Sequence, residues 1–189
     1  MSRDPSPLKS GDQAPSVTLP DTTGADVALA DLWAERPLAL LFMRHLGCAL
    51  CREQVDDLRR DYADIQKVGG AAIVTMGTVE QTAAFKANRS LPFPCFSDPD
   101  QAAYRAFAVP RGTVVQVAGP AMWGGAIRAL CRSGLGKPAG DLRQLQAAFV
   151  IAQGGRLELV RYSQHSADVA STQELVAALQ SAGDRQERD

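Results

Sequence analysis

The segment Phe42-Met-Arg-His-Leu-Gly-Cys-Ala-Leu-Cys-Arg-Glu-Gln54 joins a short apolar run, residues 38–43, to a long amphipathic one that ends near Gly69. An apolar run of this length predicts a strand buried on both faces. Apolar residues recurring at every third or fourth position then predict a helix. Cys48 and Cys51 therefore lie at a strand-to-helix junction, on one face of the first helical turn.

The surroundings of the two cysteines favour a thiolate. The first turn of a helix presents unpaired N–H groups and the positive end of the helix dipole, which stabilise a nearby negative charge. Arg44, His45 and Arg52 are expected to add positive charge. Thiol pKa values in such places fall from about 8.5 to roughly 3.5–7.5. Redox chemistry is therefore predicted, with Cys48 the more exposed thiol and Cys51 the better shielded one.

Two other interpretations of the pair are open. A zinc site needs two further ligands, and the remaining cysteines and histidines form neither a second Cys-x-x-Cys nor a His-x-x-x-His. An inert structural pair is the second alternative. Neither a metal nor a cofactor is predicted. The candidates for zinc ligands are Cys95, Cys131, His45 and His165.

Composition describes an ordinary globular protein. The chain has 189 residues, of which 46% are hydrophobic, and this suits one domain with a sizeable core. Twenty basic residues stand against 21 acidic ones without a run of like charges, so neither nucleic acid nor a membrane surface is an expected partner. Without an apolar leader or a run of about 20 apolar residues, the protein is predicted to be cytoplasmic.

The rest of the chain alternates strands and helices. A disordered tail is predicted over residues 1–13, a single domain over 14–182 and a frayed tail over 183–189. The domain has an N-terminal hairpin, a βαβ unit, an edge segment at Cys95, a helix launched by Asp98-Pro99, a second hairpin and a final helix after Ser171. Residues 113–140 are interpreted as an insertion near the thiols. This order predicts an α/β fold whose central mixed sheet is flanked by helices.

This arrangement, with Cys-x-x-Cys at the first strand-to-helix turn, resembles the thioredoxin fold. The segment 42–52, Phe93-Pro-Cys-Phe-Ser-Asp-Pro99 and Phe149-Val-Ile151 resemble the peroxiredoxin-like branch of the alkyl hydroperoxide reductase C/thiol-specific antioxidant superfamily, over about residues 11–179. The resemblance implies the peroxiredoxin variant of the thioredoxin-like fold, reduction of hydrogen peroxide or organic hydroperoxides by the dithiol, and recycling by thioredoxin or a similar thiol reductant. A homodimer is a further hypothesis. The predicted catalytic residues are Cys48, Cys51, Arg44 and His45.

Departures from the family pattern leave the nucleophile open. Peroxiredoxins carry Pro-x-x-x-Thr-x-x-Cys, and in register Arg44 stands at the proline, Cys48 at the threonine and Cys51 at the peroxidatic cysteine. Gln146 stands where these proteins have an arginine, so Arg44 or Arg111 is expected to supply the positive charge. The family register favours Cys51 as the nucleophile, whereas exposure at the helix terminus favours Cys48.

Two alternative functions would use the same pair. A general thiol-disulfide oxidoreductase is favoured by the missing threonine and arginine and disfavoured by the missing cis-proline. A non-catalytic redox sensor is suggested by the insertion alone. Cys131 is a candidate for a more distant resolving thiol, but the preferred interpretation is that Cys131 is an inert cysteine in the core. His165 and Asp168 are interpreted as capping or solvated residues.

Overall fold

The computed structural model describes residues 6–113, 131, 140–165 and 167–186. Apart from Thr113, Cys131 and Gly140, the insertion predicted over residues 113–140 lies outside these residues. The elements, in chain order, are β1 (Thr18–Pro20), β2 (Asp26–Ala28), a 3-10 helix (Leu29–Trp33), β3 (Leu38–Phe42), α1 (Ala49–Arg60), α2 (Tyr62–Val68), β4 (Gly70–Thr75), α3 (Val79–Asn88), β5 (Cys95–Ser97), α4 (Ala102–Ala106), β6 (Ala147–Ile151), β7 (Leu157–Tyr162) and α5 (Thr172–Gln186).

A five-stranded mixed sheet in the order β5-β4-β3-β6-β7 forms the centre of the fold. β3 lies in the middle with all five residues buried, pairing parallel to β4 and antiparallel to β6. Parallel strands joined by helices end at the same edge of the sheet, so the residues after β3 and after β4 meet there. The predicted central mixed sheet flanked by helices is confirmed, and the predicted N-terminal hairpin is the separate pair β1-β2.

A hydrophobic core covers each face of this sheet. On one face α1, α2 and α5 pack through Val55, Ile65 and Leu179, and both cysteines of the Cys-x-x-Cys pair belong to this core. On the other face, aromatic rings meet in edge-on and tilted pairs with centroids 5.0–5.6 Å apart. Such pairs add stability beyond their buried area. The start of α1 is therefore held between a rigid central strand and a packed helical layer. The aromatic cluster consists of Phe42, Tyr104, Phe107 and Phe149.

Two predicted helices differ from those observed. The segment expected to run to Gly69 as one helix is broken at Asp61, whose backbone (φ −96°, ψ 11°) separates α1 from α2. The helix predicted to start at Asp98-Pro99 starts at Ala102, because Gln101 adopts a left-handed conformation with φ 57°. Asp98 still caps this helix, since its buried carboxylate accepts backbone N–H groups from residues 102, 103 and 104.

The described residues near both ends of the chain are more ordered than predicted. Gly11 N–H donates to the Leu157 carbonyl at 2.8 Å, and Leu8 N–H donates to the Tyr162 hydroxyl at 3.0 Å. The predicted disordered tail is therefore wrong for residues 8–13. At the other end α5 continues to Gln186, so the predicted fraying from residue 183 is wrong for the described residues. Within the described ranges, no helix has both the length and the apolar character needed to cross a bilayer.

Candidate active site

Cys48 and Cys51 occupy the junction between β3 and α1. Cys48 is the N-cap of α1, with an extended backbone, and its Sγ accepts a hydrogen bond from the Cys51 N–H at 3.4 Å. Cys51 lies in the first turn and has no exposed surface, whereas 6% of Cys48 is exposed. The predicted order of exposure is confirmed, although both thiols are buried. Cys48 is therefore the residue of the pair that solvent reaches, whereas Cys51 is completely shielded.

The Cys48 thiol has a lowered pKa. It falls from the ordinary 9.0 to about 6, chiefly because the Cys51 thiol donates a hydrogen bond to the Cys48 sulfur. Burial opposes the shift, while the Cys51 N–H and the charge and hydrogen bond of Arg44 support it. Cys48 is consequently a thiolate at neutral pH, the form in which sulfur is nucleophilic.

The Cys51 thiol shows the opposite behaviour. Complete burial raises its pKa well above 9.0, and the hydrogen bond to Cys48 and the Cys48 charge raise it further. The backbone N–H and charge of Arg44 oppose these effects without overcoming them. The site therefore holds one proton between two sulfurs, with Cys48 ionised and Cys51 neutral.

Arg44 is the cation that the fold brings to the thiols. Its side chain is 8% exposed, and Nη2 donates to the Leu142 carbonyl at 2.8 Å. Its Nε has no hydrogen-bond partner among the described residues. Arg111, the alternative cation, is 65% exposed and pairs with Asp141 at 2.6 Å. Of these two arginines, Arg44 is therefore the one positioned to stabilise negative charge at Cys48.

The other two expected cations contribute differently. Burial and the charge of Arg44 lower the pKa of His45 to about 4, so His45 is neutral at pH 7. The positive charge predicted for His45 is therefore wrong at that pH. Burial and the charge of Arg89 lower the pKa of Arg52, while Asp56 opposes them. Arg52 thus belongs to a cluster between α1 and the end of α3, in which Arg89 also pairs with Asp56.

Two polar residues behind the thiols were not among the predicted catalytic residues. Gln146, which is 2% exposed and directly precedes β6, accepts a hydrogen bond from the Cys51 thiol through Oε1 at 3.3 Å. The fully buried Tyr104 hydroxyl lies 2.5 Å from the Met43 carbonyl, and burial raises its pKa above the ordinary range. For Gln146 the available signal was a polar residue immediately before an apolar strand.

The remaining candidates lie away from the pair. Cys95 is buried in β5, and burial raises its pKa to about 12, so it packs as a small hydrophobic residue. Cys131 is exposed, and its interpretation as a core cysteine is therefore wrong. Asp168 forms an ion pair with Arg161 at 2.5 Å rather than standing free in solvent. Among the described residues, no three His, Cys, Asp or Glu side chains converge as metal ligands would.

Comparison with known proteins identifies the family. Residues 10–159 match the AhpC/TSA family. The thioredoxin-like protein AAED1 of Arabidopsis thaliana chloroplasts is 29% identical over 106 residues, a match that covers 55% of this chain but only 42% of that protein. Prostamide/prostaglandin F synthase of Danio rerio is 28% identical over 165 residues, covering 84% of this chain and 81% of the relative.

A solved structure shows the same fold. The crystal structure of peroxidoxin BcpB from Mycobacterium tuberculosis is similar with a TM-score of 0.67 at 22% identity, covering 92% of this chain and 97% of that one. The predicted thioredoxin-like fold in its peroxiredoxin variant is thereby confirmed. The chain belongs to the AhpC/TSA family and is an enzyme of the peroxiredoxin-like class of thiol peroxidases and oxidoreductases.

Proposed function

We propose that the protein reduces hydrogen peroxide or organic hydroperoxides through a Cys48–Cys51 dithiol/disulfide couple, with Cys48 as the nucleophile. The observation that carries this proposal is the geometry of the pair: Cys48 is the N-cap of α1 and its Sγ accepts a hydrogen bond from the Cys51 N–H at 3.4 Å, whereas Cys51 is completely buried. These surroundings lower the pKa of Cys48 to about 6 and raise that of Cys51 well above 9.0. Family membership supports peroxide as the substrate class. The family register places Cys51 at the peroxidatic position, but a thiol that keeps its proton is a weak nucleophile. We therefore assign the attack to Cys48.

The proposed reaction begins with attack on the peroxide. The Cys48 thiolate forms a bond to one peroxide oxygen, the O–O bond breaks, and the departing alkoxide or hydroxide takes a proton to leave as alcohol or water. Buried Arg44 stabilises the negative charge that moves onto the oxygens. Cys51 then attacks the Cys48 sulfenic acid, the S–O bond breaks, and the Cys51 proton leaves with the hydroxyl group as water.

Recycling requires an external dithiol, for which we propose thioredoxin or a similar reductant in the cytoplasm. Its thiolate attacks the Cys48 sulfur, which is the more exposed of the two, and Cys51 leaves and regains its proton. The second thiol of the reductant then closes its own disulfide and releases reduced enzyme. Two electrons pass from the dithiol to the peroxide in each cycle. A homodimer remains a prediction.

Single-turnover kinetics test this proposal. Reduced protein is mixed with hydrogen peroxide, peroxide loss is followed by stopped flow, and intact mass is recorded before and after. Wild type should consume one equivalent faster than a small thiol of pKa about 6 and lose two hydrogens, and Cys95→Ser should behave identically. Reaction no faster than that of the small thiol would refute the peroxidase proposal.

A general thiol-disulfide oxidoreductase is the second candidate, and the same split of pKa values favours it. A thiolate at the start of a helix, next to a completely buried thiol, suits exchange with a disulfide substrate as well as attack on peroxide. The rate at which the reduced protein reduces a mixed disulfide of glutathione distinguishes the oxidoreductase from the peroxidase. Fast exchange combined with slow peroxide consumption would establish this candidate, and slow exchange combined with fast peroxide consumption would exclude it.

A further inference from the structure

Gln146 is held in one orientation by groups on both sides. Its backbone carbonyl accepts a hydrogen bond from the Ser163 N–H at 3.1 Å, which extends the β6-β7 pairing. Its side-chain Nε2 donates to the Asp168 carbonyl at 3.5 Å, and that carbonyl also accepts from the Ser163 hydroxyl at 2.5 Å. A carbonyl oxygen has two lone pairs and can accept both. The loop before α5 thus supplies a fixed acceptor for one end of the Gln146 amide.

The position of the Asp168 carbonyl decides which end of the amide faces Cys51. Oxygen and nitrogen of a glutamine amide are assigned from their partners, and a carbonyl can only accept. The NH2 group therefore faces Asp168, and Oε1 faces the Cys51 sulfur at 3.3 Å. Asp168 itself is fixed by Arg161 at 2.5 Å and by the Gln164 N–H at 2.8 Å. Gln146 consequently presents an acceptor, not a donor, to the buried thiol.

The Cys51 proton then has two acceptors within reach, the Cys48 sulfur and Gln146 Oε1. An acceptor beside a thiol favours the neutral thiol, and a donor would favour the thiolate. We propose that Gln146 is a positioning residue that holds the Cys51 thiol and competes with Cys48 for its proton, so that Gln146 sets how strongly the Cys48 thiolate is stabilised. The inference rests on the dithiol function proposed above and extends it to the residue that tunes the nucleophile.

The other groups around the pair do not compete with Cys48 for the Cys51 proton. Arg44 lowers the pKa values of both cysteines, so it does not by itself separate them. His45, on the same loop as Arg44, is neutral above about pH 4. Tyr104 is a residue of α4, and burial raises its pKa, so its hydroxyl is also neutral. Among the described residues, Gln146 is the one besides Cys48 whose side chain accepts a hydrogen bond from the Cys51 thiol. After Cys48 is oxidised, Gln146 also keeps the Cys51 thiol in place for attack.

The test replaces the acceptor and follows alkylation without peroxide. Reduced proteins are treated briefly with iodoacetamide across a pH series, and tandem mass spectrometry of the tryptic peptide 45–52 locates the label. Wild type should be labelled at Cys48 with a midpoint of about 6. In Gln146→Met the Cys51 proton is left to Cys48 alone, so the midpoint should fall by about half a pH unit or more. In Gln146→Arg, a permanent donor cation should move label onto Cys51.

Gln144→Met is the matched control, because Gln144 is a buried glutamine whose side chain donates to the carbonyls of Val109 and Pro110 instead. It should keep the wild-type midpoint and labelling site. A midpoint in Gln146→Met that stays unchanged or rises toward 9.0 would overturn the proposal, since simple loosening of the site raises it. Because alkylation needs no peroxide, a failed peroxidase assay with these shifts intact would reject only the peroxidase function.

Discussion

Replacing Cys48 by serine should change how the stability of the reduced protein depends on pH. The Cys48 pKa is 9.0 in ordinary surroundings and about 6 in the folded protein, so the unfolded chain holds this proton more tightly than the folded one. A group with a lowered folded pKa stabilises the fold above its unfolded pKa, and this contribution is lost as pH falls through the folded pKa. The thiolate therefore stabilises the reduced protein increasingly between about pH 6 and pH 9.

The magnitude follows from the size of the shift. Three pKa units at 1.36 kcal/mol each correspond to about 4 kcal/mol at high pH. Between about pH 6.5 and pH 8 the contribution should grow by about 2 kcal/mol. Raised pKa values have the opposite sign, but those of Cys51 and Cys95 matter only as pH approaches the ordinary thiol pKa of 9.0. Below about pH 8, the pH dependence of the Cys48→Ser difference in unfolding free energy therefore reports on Cys48.

The measurement is urea unfolding of wild type and Cys48→Ser in a phosphine reductant at several pH values. Serine supplies a hydroxyl oxygen as the N-cap acceptor in place of the Cys48 sulfur, so the helix start is preserved in the variant. The difference in unfolding free energy between the two proteins should grow with pH, whereas Cys95→Ser should differ from wild type by a constant amount. A Cys48→Ser difference that is flat or shrinks from about pH 6.5 to pH 8 would refute the lowered pKa.

Three further predictions concern the surroundings of the pair. Arg44→Met should raise the alkylation midpoint of Cys48 and slow peroxide consumption at pH 7 by about tenfold, and Arg44→Lys should restore both. An effect of equal size in Arg111→Met would contradict a specific role for Arg44. His45→Gln should leave the alkylation profile unchanged between about pH 5 and pH 8, because His45 is already neutral there, and a shift of the midpoint would show that it carries charge. Asp98→Ala should lower the free energy of unfolding by about 2 kcal/mol in urea titrations, because three backbone N–H groups lose their acceptor, while a loss near zero would mean that water replaces the carboxylate.

The sequence was sufficient to predict the central sheet and the position of the two cysteines at the start of α1. The apolar run 38–43 and the stripe after it predicted β3 and α1, because burial on both faces and helical periodicity leave direct marks in residue order. Thr78-x-x-Gln81 is another such local pattern, a capping box at the start of α3, and both of its hydrogen bonds are present. These features depend on contacts between residues close in the chain, which local patterns record.

Features that depend on distant contacts were not predictable from local patterns. Gly11 is ordered by the Leu157 carbonyl, far away in the sequence, and no property of the polar tail records that pairing. The neutrality of His45 follows from burial and from Arg44, whereas sequence proximity alone indicated an additional cation. The Cys51–Gln146 contact joins residues 95 positions apart, and only the antiparallel register of β3 and β6 brings them together.

Trapping the sulfenic acid most directly tests the assignment of Cys48 as the nucleophile. Reduced Cys51→Ser and Cys48→Ser are each treated with one equivalent of hydrogen peroxide in the presence of dimedone, and the adduct is located by tandem mass spectrometry. The proposed mechanism predicts an adduct on Cys48 in Cys51→Ser and none on Cys51 in Cys48→Ser. An adduct on Cys51 in Cys48→Ser, with Cys48 unlabelled in the other variant, would contradict it and make Cys51 the nucleophile.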